Sequence, residues 1–272
     1  MIRASLPQSV IALSGIALAV LAWSVEPAAL RAEDSAEEAG LSIATEARAR
    51  QKGFGNFTAS LIMTLRNKQG QESNREIRLK VMEVAEDGDR TVFVFENPRD
   101  VKGTAFLVHA HKEEADDQWL YLPALKRVKR ISSSNQSGSF MGSEFSYEDL
   151  GSVEVEKYAH RLIGDEACGD VQCTVLERVP LDDDSGYSRQ LIWLDSELRT
   201  VQVQFFDRRD EHLKTMVAED FEKFLDRFWR SRKITMTNHL TGKSTVLVWS
   251  AFDFETDLDL GDFTRTALRR VR

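Results

Sequence analysis

The sequence predicts a mainly β protein with a few helices, folded as an antiparallel sandwich or barrel. From Phe54 onward, apolar and polar residues alternate with a period of two, the pattern of a strand with one face buried and one wet. The alternating runs are short and are separated by Gly, Asp, Asn or Pro turns, as in sheets built from successive hairpins. The 272-residue chain shows no repeat period and no interdomain linker, so residues 41–272 read as one domain.

The N-terminus reads differently. Arg3, an apolar run over residues 10–22 and small residues at Ala28, Ala29 and Ala32 make residues 1–32 an expected signal peptide, cut near 29–32. The run is shorter than the about 20 apolar residues that span a bilayer; an uncleaved anchor is the alternative. The acidic, Ala-rich residues 33–40 are expected to be a disordered lead-in. Residues 41–52 predict a short helix, with Ile43, Ala44 and Ala47 on one side, basic residues in its last turn and Gly53 as its C-cap.

The strands follow. Phe57, Ala59, Leu61, Met63 and Leu65 alternate with Thr58, Ser60, Ile62 and Thr64. A turn at 67–70 leads to a strand at 75–84, and a turn at 87–89 to one at 91–95, which Asn97-Pro98 stops. Strands at 104–110 and 118–122 are joined by the acidic loop 113–117. Further strands are expected at 158–163, 174–180, 188–194, 200–207 and 243–252. Residues 216–230 place Val217, Phe221, Phe224, Leu225 and Phe228 at helical spacing, so periodicity alone reads an amphipathic helix there.

Composition narrows the function. The chain carries a net charge of −8; residues 1–32 hold Arg3, Arg31 and Glu26, so the remainder carries −9. That argues against nucleic-acid binding. Cys168 and Cys173 are the only cysteines, spaced C-x-x-x-x-C around a Gly169-Asp170 turn. In an exported protein that pattern predicts a disulfide staple, whereas a redox pair usually reads C-x-x-C beside a helix. No G-x-S-x-G, H-E-x-x-H or phosphate-binding loop is present, so no enzymatic role or cofactor is predicted. His109 and His111 share a strand face without a third ligand, so no metal site is expected. Residues 182–186 form an acidic turn that lacks the distal Glu of a calcium loop.

One stretch carries a family resemblance. Asn97-Pro98 and Gly103-Thr104 are followed by WLYLPALKRVKRI at 119–131 and FMGSEFSYED at 140–149, with weaker echoes at Tyr187, Ser188, Arg189, Trp193, Lys214 and Met236, Thr237, Asn238. In order and spacing these words resemble the outer-membrane lipoprotein-sorting protein family, the LolA-like periplasmic carriers. The resemblance implies a curved, incomplete antiparallel β-barrel, a half-barrel closed by a helical and loop lid over an apolar cavity that holds acyl chains. It also implies strand, turn and strand for 216–230. The partners implied are a lipid or lipoprotein cargo, an inner-membrane exporter and an outer-membrane acceptor, with transient membrane contact.

On that reading Phe57, Leu61, Met63, Phe93, Phe95, Leu107 and Trp119 are cavity candidates; the competing reading is ordinary core or rim packing. Phe140 and Met141 tip a Ser- and Gly-rich loop, 132–143, and Phe145 and Tyr147 extend it into a short helix ending near Leu150. They form either a mobile plug over the cavity or a static loop anchored by its Phe. Lys126, Arg127, Lys129 and Arg130 are either a contact for anionic headgroups or a membrane partner, or a charged strand edge that resists aggregation. The function expected is a periplasmic carrier shuttling lipid or lipoprotein between the two membranes. The alternative is a lipid-sensing adaptor for a membrane protein.

Overall fold

The computed structural model describes Met1 and residues 28–270. Most of the expected signal peptide lies outside the described residues. Among the described residues one helix, α1 (Ala28–Gln51), precedes thirteen strands: β1 (Asn56–Arg66), β2 (Glu72–Met82), β3 (Arg90–Asn97), β4 (Ala105–His109), β5 (Asp117–Leu122), β6 (Arg127–Ile131), β7 (Tyr158–Cys168), β8 (Val171–Pro180), β9 (Tyr187–Leu194), β10 (Thr200–Asp207), β11 (His212–Phe224), β12 (Phe228–Asn238) and β13 (Ser244–Phe254). Among the described residues, no helix is long and apolar enough to cross a membrane.

All thirteen strands join one antiparallel sheet in the order β6-β5-β4-β3-β2-β1-β13-β12-β11-β10-β9-β8-β7. The chain walks outward by hairpins from β1 to one edge at β6. It then crosses to the opposite edge at β7 and walks back until β13 pairs with β1, Met63 opposite Leu247. The edges β6 and β7 do not pair, so the sheet stays open. Its two wings nevertheless share one core, in which Phe93 and Phe106 belong to the same cluster as Leu176 and Ile192. The sheet therefore curls around that core, as a half-barrel. The crossover, residues 132–157, must pass over the open side because it links the two free edges.

Burial follows the pleat where one face is wet: Phe57, Ala59, Leu61 and Met63 are buried. In β3 and β4 the alternation vanishes, and Val92, Phe93, Val94 and Phe95 are all buried. Here the outer face is covered as well. The segment after β13 returns in two short 3-10 helices, Leu260–Phe263 and Ala267–Arg269. Phe263 and Leu268 cap Val92, Val94, Ala105 and Leu107 from outside. A strand covered on both faces reads as a continuous apolar run.

One expectation needs correction here. Residues 33–40 are not a disordered lead-in but part of α1. Ala36, Ala39, Gly40, Ile43, Ala44 and Ala47 are all at least partly buried and recur at intervals of three or four, the spacing of one helix face. Gly40 passes so close to β7 that a Cβ there would lie 2.7 Å from the Arg161 backbone. Because the packing face is made of small residues in a charged stretch, the composition resembled disorder.

Residues 216–230 fall in a hairpin of β11 and β12, with Phe224 opposite Phe228, as the resemblance implied and periodicity did not. Asp220 adopts a positive φ of 55°, and the inward positions step from Met216 and Ala218 to Phe221. That change of parity imitates helical spacing. The tip of the β7–β8 hairpin is closed by the Cys168–Cys173 disulfide, with Cα atoms 5.8 Å apart.

Candidate functional site

The crossover divides the concave face in two. Over β1–β6 it fills the space. Residues 139–146 fold into a tight turn in which the Phe140 N–H donates to the Phe145 carbonyl at 2.7 Å. Phe140 is 0% exposed, its ring 5.9, 5.8 and 5.1 Å from those of Phe93, Phe95 and Phe106 and 5.6 Å from Tyr147. Met141 sits at the rim, half-buried, and its carbonyl accepts from Arg75.

A polar latch holds this turn. Lys214 on β11 reaches the Asp149 carboxylate at 2.6 Å, and both side chains are buried. Tyr187 donates to Asp149 at 2.8 Å, and its hydroxyl lies 2.9 Å from that of Ser146. Lys214 also donates to the Glu144 carbonyl, and Asn238 to the Glu144 carboxylate. Ser146 and Asp149 cap the short 3-10 helix Tyr147–Leu150 reciprocally. The FMGSEFSYED word thus encodes an apolar plug and the acidic half of the ion pair that pins it, so the loop is a packed insert with Phe140 as its anchor.

Over β7–β12 the concave face is left unfilled. A cavity of about 510 Å³ lies between these strands, α1 and the second half of the crossover. Its walls are mainly apolar: Leu176, Ile192, Val203, Phe205, Met216 and Ala218 from the sheet, Ala44 and Ala47 from α1, and Phe145 and Val155 from the crossover. Of the candidates named from sequence, Phe57 and Phe145 line it. Leu61, Met63, Phe93, Phe95, Phe140, Met141 and Tyr147 pack in the same core beside it. Leu107 and Trp119 lie on the opposite face of the sheet, which corrects their assignment. Because β4 is buried on both faces, nothing in its sequence distinguishes inside from outside. The wall residues of β8–β10 sit on alternating strands recognised from sequence, but ordinary core strands alternate in the same way.

The remaining candidates fall elsewhere. Lys126, Arg127, Lys129 and Arg130 are exposed around the edge strand β6, with Arg130 paired to Asp117 at 2.5 Å. His109 lies 2.7 Å from the Phe263 carbonyl, while His111 lies 3.1 Å from Asp87. The two histidines serve separate contacts.

The cavity wall is charged at a few points. Arg48 of α1 binds Glu154 at 2.6 Å, with Glu154 0% exposed, and lies 3.6 Å from Asp89. Burial raises the Asp89 carboxyl to about 6. Burial, with Asp149 adding to it, raises Glu148 to about 7, although Ser185 and Gly186 donate to its carboxylate. Arg178 and Arg230 also face the cavity, and burial lowers both, Arg230 to about 10. The site can enclose an apolar tail and offers fixed charge at its wall.

Comparisons with known proteins bear on this geometry. A family model described only as that of an uncharacterized "-like" protein matches residues 87–270. A solved structure from Vibrio parahaemolyticus, titled as a candidate outer membrane lipoprotein-sorting protein domain, is 50% identical, with a TM-score of 0.85 over 86% of this chain and 100% of that one. The chain belongs to the outer-membrane lipoprotein-sorting protein family. A DUF1329 family protein from Desulfovibrio piger is 28% identical, with a TM-score of 0.81 over 86% of this chain and 99% of that one. A LolA superfamily protein from Nitrosomonas europaea, at 21% identity, shares the fold with a TM-score of 0.68 over 84% of this chain and 98% of that one. No match was found among curated proteins. The open antiparallel sheet expected of a LolA-like protein is the fold observed.

Proposed function

We propose that this LolA-like protein is a periplasmic carrier that buries the acyl chain of a lipid or lipoprotein and moves it between the inner and outer membranes. The observation that supports this most is the apolar cavity of about 510 Å³ beneath α1 and the crossover. Each methylene enclosed there contributes roughly 0.8 kcal/mol, and the size suits one single-chain ligand or one tail of a larger cargo. The role is binding and delivery, without chemical conversion. An inner-membrane exporter would load the protein and an outer-membrane acceptor would empty it. The exposed Lys126, Arg127, Lys129 and Arg130 are the surface proposed to meet anionic headgroups or such a partner.

Shuttling is tested by transfer of a fluorescent acyl lipid between donor and acceptor vesicles separated by a dialysis membrane that the protein can pass. The expected result is transfer that rises in proportion to protein concentration. Uptake without delivery would replace shuttling with a lipid-sensing adaptor role.

A further inference from the structure

The charge on the cavity wall carries the carrier reading one step further, to the chemistry of the ligand's head. Most cations at or beside the cavity are paired: Arg48 with Glu154, Arg199 with Asp195 at 2.6 Å, and Lys214 with Asp149. Arg178 on β8 and Arg230 on β12 also line the cavity, yet among the described residues every hydrogen-bond partner they have is neutral. Arg178 donates to Gln190 Oε1 at 2.7 Å and lies 4.7 Å from the centre of the Tyr158 ring. Arg230 donates to Gln51 Oε1 at 2.5 Å and to the Trp229 carbonyl at 2.9 Å, with the Phe54 and Phe57 ring centres 5.1 and 5.6 Å away. Beside it the buried indole Nε1 of Trp229, another residue of the wall, has no hydrogen-bond partner among the described residues.

Ring faces and amides offset only part of the cost of taking a guanidinium out of water. An anion offsets more, and the guanidinium fork matches carboxylate and phosphate geometry. The cavity's own acids make their close contacts elsewhere: Asp89 lies beside Arg48, Asp149 holds Lys214, and Glu148 accepts from Ser185 and Gly186, so that Asp89 acts on Arg230 and Asp149 on Arg178 only from beyond ion-pair distance. Apolar walls with two such cations fit a ligand that has both a greasy tail and a negative head.

We propose that the ligand of this cavity is an anionic single-chain amphiphile, its tail against the walls of β8–β11 and its carboxylate or phosphate head neutralised by one of the two guanidinium groups, Arg178 or Arg230. This rests on the carrier reading, and the test separates the two. Binding of dodecanoate, dodecyl phosphate, dodecanol and inorganic phosphate to the full protein is measured by calorimetry at neutral pH. The expected result is that at least one of the two anionic amphiphiles binds tenfold or more tightly than dodecanol, a difference of about 1.4 kcal/mol, and that inorganic phosphate alone binds more weakly than either. The stronger of the two identifies the head.

Arg178→Met combined with Arg230→Met removes the preference and leaves dodecanol binding in place, because replacing a buried charge by an apolar side chain of similar length preserves packing. Each single variant shows which arginine holds the head. Equal binding of anionic and neutral amphiphiles by the unaltered protein would overturn this proposal but keep the carrier. Inorganic phosphate binding as well as dodecyl phosphate would also overturn it. Binding of none of the amphiphiles would overturn the carrier reading itself. Should the double variant bind nothing, the unaltered protein's preference alone decides.

Discussion

Phe140→Ala is expected to lower the unfolding free energy by about 3–5 kcal/mol, the range for truncating a fully buried aromatic. The ring is 0% exposed and touches four other aromatic side chains. The turn that carries it is fixed by its own short hydrogen bonds and by the latch from Lys214 and Asn238, so it cannot collapse onto the cavity that the substitution leaves. Urea denaturation with an unchanged slope measures the loss. A loss under about 1 kcal/mol would mean that the turn rides loosely on the sheet and that a mobile lid is the better description.

Lys214→Met is expected to cost about as much, roughly 3–5 kcal/mol, because it strands the Asp149 carboxylate in a buried site. Lys214 and Asp149 are 2.6 Å apart and both are buried, and the same lysine reaches the Glu144 carbonyl. Combining Lys214→Met with Asp149→Asn should cost clearly less than the two single losses added, since the double variant leaves no uncompensated charge. Faster hydrogen exchange in residues 139–150 of the single variant would locate the effect in the crossover. Additive losses would show that the two side chains do not act as a pair.

Much of this architecture was legible in the chain. Phe57, Ala59, Leu61 and Met63 announced their strand because its outer face is wet and polar residues fill the alternate positions. β3 and β4 lost that contrast once the segment holding Phe263 and Leu268 covered their outer side. For that reason Leu107 could not be told from Phe106 by pattern. At Asp220 a single left-handed residue changed the inward parity and gave a strand the spacing of a helix. In α1 the packing face was written in Ala and Gly, which carry little hydropathy signal.

The site was less legible than the fold. FMGSEFSYED stood out, yet its conspicuous apolar pair serves packing, while its Asp149 finds Lys214, 65 residues away. Arg178 and Arg230 lie on strands four apart in the sheet and attract no notice in a chain with 36 basic residues. Only the folded sheet brings them to the same cavity.

On the proposed function, the cavity over β7–β12 is a lipid site. Native mass spectrometry of the protein purified from a Gram-negative periplasm, followed by organic extraction of the bound material, tests it most directly. The expected result is a discrete added mass in the lipid range that is lost on extraction. A ligand-free protein that also takes up no fatty acid or fluorescent lipid in solution would contradict it.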